Sequence, residues 1–255
     1  MNTPLANEQI IDIGGYSLYI KSMGSGSPTV IMEAGGTRTA ESWQKIQPQI
    51  AHITCACAYD RAGLGHSESG PVPTTSLQMV EELHQLLANI PLPGPYILVG
   101  HSFGALNVRL YAHQYPDEVL GLVLVDPAHE DLYAHMDTKA IPWIDFRKSA
   151  QQVRETGSLG NRPLIVLSHG LPVPDFAGVI EASWLSWHRQ LVQLSSHSLH
   201  VIATRSRHAI QEDQPEIVIE AIRQVIEAAR DPSHTFFSCA EIFHPLGGRC
   251  IDLPG

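Results

Sequence analysis

Apolar residues fall into two rhythms along this chain, and the rhythms take turns. Short, almost unbroken runs (Thr29 to Met32, Ile53 to Tyr59, Ile97 to Val99 behind Pro95, Val119 to Val125, Leu164 to Leu167 and Leu199 to Ala203) read as strands buried on both faces. Between them, Ser42 to Ile50, Leu77 to Ile90, Ala105 to Tyr115, Ala177 to Leu194 and Pro215 to Arg230 keep a helical period, the last with proline in its first turn. Ile10, Ile11 and Ile13, then Gly14-Gly15, then Tyr16, Leu18 and Ile20 form two alternating segments about a turn, which predicts an opening antiparallel hairpin. Strand and helix in alternation predict an α/β fold, a mostly parallel twisted sheet with helices on both faces. Residues 1–230 read as a single domain. From about 128 to 162 the alternation lapses, as in a short cap inserted over the sheet edge, and 231–255 reads as a C-terminal tail.

Such sheets carry their working residues on loops at the carboxyl ends of the strands. One of those loops is Gly100-His-Ser-Phe-Gly104, a turn from an apolar strand straight into a helix. Glycines two before and two after Ser102 remove side chains that would strike the neighbouring strand and helix, and the hydroxyl is held at a helix N-terminus, where negative charge is favoured. A serine hydroxyl needs a base and an orienting acid to act as a nucleophile at neutral pH. His208, between the last of these strands and the last helix, lies at the same sheet edge and is the candidate base. Two carboxylates compete for the acid: Asp126, delivered by the strand ending at Val125 and stiffened by Pro127, and Asp175, on the looser loop after the next strand. Asp60, Asp117 and Asp213 read as turn or capping residues. An oxyanion needs two aimed N–H groups; Phe103, after the nucleophile, and Gly36, in the loop Glu33-Ala-Gly-Gly-Thr37, are the candidates. The candidate pocket residues are His101, Trp143, Phe146, Trp184 and Trp187, with His101 read first as packing beside the corner and core packing an open alternative for each of the others.

Charge and composition narrow the partners. A formal charge of -10 with no basic patch argues against nucleic acid. No apolar stretch reaches membrane-spanning length, and the N-terminus lacks a basic start followed by an apolar run, so a cytoplasmic location with no membrane partner is expected. Fourteen histidines show no metal-ligand spacing, so neither metal nor cofactor is expected. Of four cysteines, Cys55 and Cys57 read as small core residues, whereas Cys239 and Cys250 would pair only in an oxidising compartment.

Taken in order, the Gly-Gly loop, Gly-His-Ser-Phe-Gly, aspartate and histidine resemble the α/β-hydrolase fold family from about Gln9 to Arg230. Tyr59-Asp-Arg-Ala-Gly-Leu-Gly-His-Ser67 is similar to the family's D-R-x-G-x-G-x-S turn, and Ser206 to Pro215 to its histidine loop. Two positions depart from the family pattern: Glu33-Ala34-Gly35-Gly36 stands where His-Gly is usual, and Ser168-His-Gly170-Leu-Pro-Val-Pro stands where many members carry G-x-x-D. The second departure favours Asp126, whose Asp-Pro-Ala resembles the lipase arrangement. The resemblance implies a serine hydrolase acting on a small-molecule carboxylic ester or lactone, relatives that open macrocyclic lactone antibiotics included, through an acyl-enzyme. Serine at the corner excludes the aspartyl-ester route of family dehalogenases and epoxide hydrolases. Thioester or amide hydrolysis, acyl transfer and perhydrolysis use the same groups, and a non-catalytic receptor is the reading from another class.

Overall fold

A computed structural model describes residues 4–92, 94–136, 138–174, 176, 178–231, 233, 236 and 239–251. Nine strands form one sheet: β1 (Ala6–Asp12), β2 (Ser17–Met23), β3 (Thr29–Glu33), β4 (Ala56–Tyr59), β5 (Tyr96–His101), β6 (Val119–Val125), β7 (Leu164–His169), β8 (Ser198–Ala203) and β9 (Gly248–Ile251). Their order is β1-β2-β4-β3-β5-β6-β7-β8-β9. The six strands from β4 to β8 run parallel, and β1, β2 and β9 add antiparallel edges.

The helices are α1 (Gln47–Ile50), α2 (Ser76–Ala88), α3 (Gly104–Gln114), α4 (Phe146–Arg154), α5 (Val179–Val192), α6 (Ile210–Asp213), α7 (Pro215–Arg230) and α8 (Cys239–Phe243). Strand side chains alternate between faces, and that splits the core in two. Leu98, Leu122, Leu124 and Val166 face α2, α3, α4 and α5. Ile97, Val99, Val123, Val125, Ile165 and Leu167 face α1 and α7. Both faces of the central strands are therefore covered, which is why these strands read as continuous apolar runs and not as alternating ones. Local signals set the helix starts: the Thr75 and Asp145 side chains accept hydrogen bonds from the N–H groups of Gln78 and Lys148, and Pro215 opens α7.

Two segments differ from the sequence expectation. The 128–162 stretch holds short 3-10 turns and α4, whose Phe146, Ala150 and Val153 bury into the core shared with α2 and α3. Past Asp231, α8 and β9 follow, with β9 hydrogen-bonded antiparallel to β8, so the segment expected as a tail supplies the ninth strand. A disulfide joins Cys239 to Cys250, the pairing that the sequence allows in an oxidising compartment. Cys55 and Cys57 are free and buried. Among the described residues, no helix is long and apolar enough to cross a membrane.

Candidate active site

The site is built on two strained corners at the carboxyl ends of adjacent strands. Ser102 ends β5 and Asp126 ends β6, and among the described residues they are the non-glycine residues with positive φ, 51° and 42°. Side chains avoid this left-handed region because of Cβ crowding, so two neighbours held in it mark a site the surrounding fold over-determines. The corners brace each other: Ser102 N–H donates to the Val125 carbonyl (3.1 Å), and Ala128 N–H donates to the Ser102 carbonyl (3.0 Å). The flanking glycines are needed for space. A Cβ on Gly100 would sit 2.8 Å from Ala105 Cα, and one on Gly104 would sit 2.5 Å from the Ala34 carbonyl oxygen.

His208, on the loop after β8, joins them. Its Nε2 lies 2.9 Å from Ser102 Oγ and its Nδ1 lies 2.7 Å from Asp126 Oδ2. With Nδ1–H donated to the carboxylate, the Nε2 lone pair is free to accept the serine proton. Asp126 is fully buried. Burial alone would raise its pKa, but hydrogen bonds from His169 and His208 outweigh it and hold the carboxyl well below the usual range. The competing acid, Asp175, lies outside the described residues.

Asp126 has partners beyond His208. Trp184 Nε1–H donates to Oδ1 (2.9 Å), His169 N–H donates to the same oxygen (3.0 Å), and His169 Nδ1 lies 2.8 Å from Oδ2. Both carboxylate oxygens are thus saturated with donors. The rings of Phe176 and Trp184 pack edge-on against His208, with centroids 4.9 and 5.8 Å away, and leave the histidine partly exposed above the buried carboxylate.

Gly36 and Phe103 face one another: a Cβ on Gly36 would lie 3.7 Å from that of Phe103. Phe103 precedes α3, where N–H groups have no partner within the helix. The orientation of Gly36 comes from Arg61. Its guanidinium donates to the carbonyls of Ala34 (2.7 Å), Gly35 and Gly36 (2.8 Å). In a trans peptide C=O and N–H point oppositely, so gripping the Gly35 carbonyl turns the Gly36 N–H away from Arg61. Arg61 is itself buried against Glu33, which also accepts from Tyr59 Oη and from Asn107 Nδ2 (3.0 Å). Glu33, where the family usually has His-Gly, therefore anchors the loop from beneath.

Of the five expected pocket residues, Trp143 lines a cavity of about 330 Å³ that opens from Gly36 and is floored by Arg61, Met79 and Glu82. The other four sit elsewhere. His101 is buried, and its Nε2–H donates to the His208 carbonyl (2.9 Å); burial and the adjacent His208 push its pKa down to about 3, so the ring is neutral and holds the base's main chain. Trp184 is committed to Asp126. Trp187 stacks on His129 and His135. Phe146 packs on Phe103 and Tyr133, one layer behind the corner. Asp60 and Asp213 act as caps, accepting from Ala40 and His66 N–H and from Arg207 N–H. Asp117 sits in the short 3-10 turn Pro116–Glu118. Sequence reasoning missed the roles of Arg61, Trp184 and His169. A signal existed for Trp184: Trp184, Trp187, His188 and Leu191 share one face of α5, and a buried indole N–H needs an acceptor. Among the described residues, no cluster of three or more ligand-type side chains could hold a metal ion.

Comparisons with known proteins agree with this architecture. Residues 28–156 match the model of the alpha/beta hydrolase fold. The uncharacterized protein YqjL of Bacillus subtilis is 34% identical over 220 residues, which cover 81% of this chain and 86% of that protein. Similar solved structures include the haloalkane dehalogenase DatA from Agrobacterium tumefaciens C58 (TM-score 0.68, 15% identity, 88% of this chain and 97% of that one). Another is a thermophilic esterase from Thermogutta terrifontis (TM-score 0.65, 17% identity, 88% and 99%). At such identities the structural likeness speaks for the fold alone.

Proposed function

Because the chain belongs to the α/β-hydrolase fold family, a family of hydrolases that includes esterases and dehalogenases, we propose that it is a serine hydrolase cleaving a carboxylic ester or lactone through an acyl-enzyme. The observation that carries this reading is the hydrogen-bonded series Ser102 Oγ, His208 Nε2, His208 Nδ1, Asp126 Oδ2, with the serine on a strained corner. A serine in that position supports acyl chemistry and not an aspartyl-ester intermediate.

In this mechanism Ser102 Oγ attacks the substrate carbonyl carbon while its proton passes to His208 Nε2. Asp126 stabilises the imidazolium so formed. The carbonyl oxygen becomes an oxyanion and takes hydrogen bonds from the N–H groups of Gly36 and Phe103. Collapse re-forms the C=O bond and breaks the bond to the leaving alkoxide, which takes the proton from His208. Water then attacks the acyl-enzyme, giving its proton to His208. A second collapse releases the carboxylic acid and returns the proton to Ser102. No cofactor is needed for any of these steps.

Size narrows the substrate. Ligand pockets run from roughly 300 to 1,000 Å³, and a cavity of about 330 Å³ lies at the lower end. As the cavity that meets the site at Gly36, it fits a small or medium acyl or alcohol group. A panel of p-nitrophenyl esters, simple lactones and macrolides, run beside thioesters and anilides, ranks these choices. The mechanism itself is tested with Ser102→Ala: ester turnover is expected to fall by about 10⁴ or more and labelling by a fluorophosphonate probe to vanish. Undiminished labelling of that variant would overturn the proposal.

A further inference from the structure

Asp126 carries two histidines on one oxygen. His208 Nδ1 and His169 Nδ1 lie 2.7 and 2.8 Å from Oδ2, while the His169 main-chain N–H holds Oδ1. The catalytic reading uses the first ring only. His169 ends β7, two residues past Leu167, and Leu167 is the register partner of Val125; parallel pairing therefore brings it beside the acid. Its ring is almost wholly enclosed, with Trp184 and Phe176 packed nearby. Its far nitrogen, Nε2, faces Glu181 of α5 at 3.5 Å, and one oxygen of Glu181 is buried without a hydrogen-bond partner.

We propose that His169 is a positioning residue that fixes Asp126 and, with an acid facing each of its ring nitrogens, sets the acid-side limit of Ser102 reactivity. The inference rests on the serine-hydrolase reading above. A histidine serving only as a strut would need no second carboxylate on its other nitrogen. Here both nitrogens face acids, an arrangement suited to the doubly protonated ring. Burial opposes that charge, but the bond to Asp126 and the nearness of Asp126 and Glu181 outweigh it, so His169 keeps its proton to a higher pH than an ordinary imidazole.

The other charged or titratable groups about it are His208 across the shared carboxylate, His188 of α5, and Arg249 of β9, which lines the same cleft as His169 and Glu181. Burial pushes His188 down to about 4, so it is neutral near pH 7 and adds no charge. While His169 is protonated, part of the negative charge of Asp126 is already matched, and a second cation on His208 is disfavoured. The acid-side limit of serine reactivity then lies at lower pH than it would with an unshared aspartate. Because two rings share one acid, the observed ionisations belong to the pair.

The test follows the rate of fluorophosphonate labelling of the intact protein against pH. It needs no knowledge of the natural substrate. His169→Asn keeps an N–H donor near the place of Nδ1 but carries no charge. Its acid-side apparent pKa is expected to rise by about one unit, as on removing a like charge a few ångströms away in a partly buried site. Glu181→Gln, at a half-buried position, weakens the hold on the His169 proton and should move the apparent pKa the same way by less. The His169→Asn profile decides where that variant folds, as judged by its circular dichroism, and the Glu181→Gln profile decides otherwise. A deciding profile that superimposes on wild type, or shifts to lower pH, overturns the role of His169. Wild-type protein that does not label at Ser102 overturns the serine-hydrolase reading and this inference together.

Discussion

Arg61 offers a separation of architecture from catalysis, because one guanidinium does two jobs. It neutralises the buried carboxylate of Glu33, and it turns the carbonyls of Ala34, Gly35 and Gly36 so that the Gly36 N–H points away from it. Arg61→Met removes both. Leaving Glu33, which is fully buried, without its counter-ion costs about 3–5 kcal/mol. For a chain of this size that is a drop in melting temperature of about 10 °C. Releasing the loop frees the Gly36 peptide to rotate, and losing one oxyanion donor costs about 10²–10³ in kcat. The two effects part company in the double variant Arg61→Met/Glu33→Gln. After the Glu33→Gln change one carbonyl oxygen remains to accept from Asn107 Nδ2, the NH2 group meets the Tyr59 hydroxyl, which can accept as well as donate, and no charge is left, so most of the melting temperature should return. The Gly35 carbonyl is still ungripped, so kcat for a p-nitrophenyl ester should stay about 10²-fold down, with KM changed far less. The assay is a thermal melt followed by circular dichroism, paired with steady-state kinetics well below the lower of the two melting temperatures. Recovery of kcat together with stability would refute the reasoning, since Arg61 would then act only by keeping the protein folded.

Two further predictions come from other parts of the molecule. Burial pushes His188 and His200 down to about 4 and about 3, so each is neutral when folded but takes a proton near pH 6.5 when unfolded. Their contribution to stability is therefore complete above about pH 6.5 and fades by about 1.4 kcal/mol per pH unit for each ring as pH falls toward the folded values. Melting temperature should drop steeply from about pH 6.5 to about pH 5, and His200→Gln, which keeps a donor toward Ser168, should show a shallower slope; an equal slope counts against the assignment. The Cys239–Cys250 bond leaves Cys55 and Cys57 as free thiols. Thiol titration of the denatured, unreduced protein should return two equivalents, and four would remove the bond along with the case for an oxidising compartment.

Two kinds of information separate what the sequence showed from what it did not. Strand and helix alternation, the glycine spacing about Ser102 and the placement of Asp126, His208 and Gly36 at strand ends were all legible, because each depends on local periodicity or on which end of a strand a residue occupies. The corners of β5 and β6 needed no knowledge of neighbours beyond the next element. The supports of the site were hidden because they depend on register. Arg61 belongs to a motif that was visible, yet its target, three carbonyls of a loop some twenty-five residues earlier, emerges only when β3 and β4 pair in parallel. The residues after Asp231 lack both rhythms, and β9 forms because β8 presents an open edge for it to pair with.

The aromatic residues show the same limit from the other side. Trp184 and Phe146 were candidates for a pocket with core packing as the open alternative, and large rings supply much of the buried area that holds corners rigid. Here that alternative prevails for four of the five pocket candidates. The cavity that opens at Gly36 is walled instead by the Arg61–Leu64 loop, the Ser69–Val72 loop and the inner face of α2, where Met79 and Glu82 had counted only as positions on an amphipathic helix. Glu82 sharpens the point. It is buried, its carboxyl is raised above the usual range mainly by that burial, and it accepts from Tyr16 Oη. A polar group retained in an otherwise apolar wall must be satisfied or used. Specificity is therefore to be sought on α2, in the loops after β4 and at Trp143, and variants made on α2 and in those loops should change the ranking of substrates while leaving fluorophosphonate labelling of Ser102 intact.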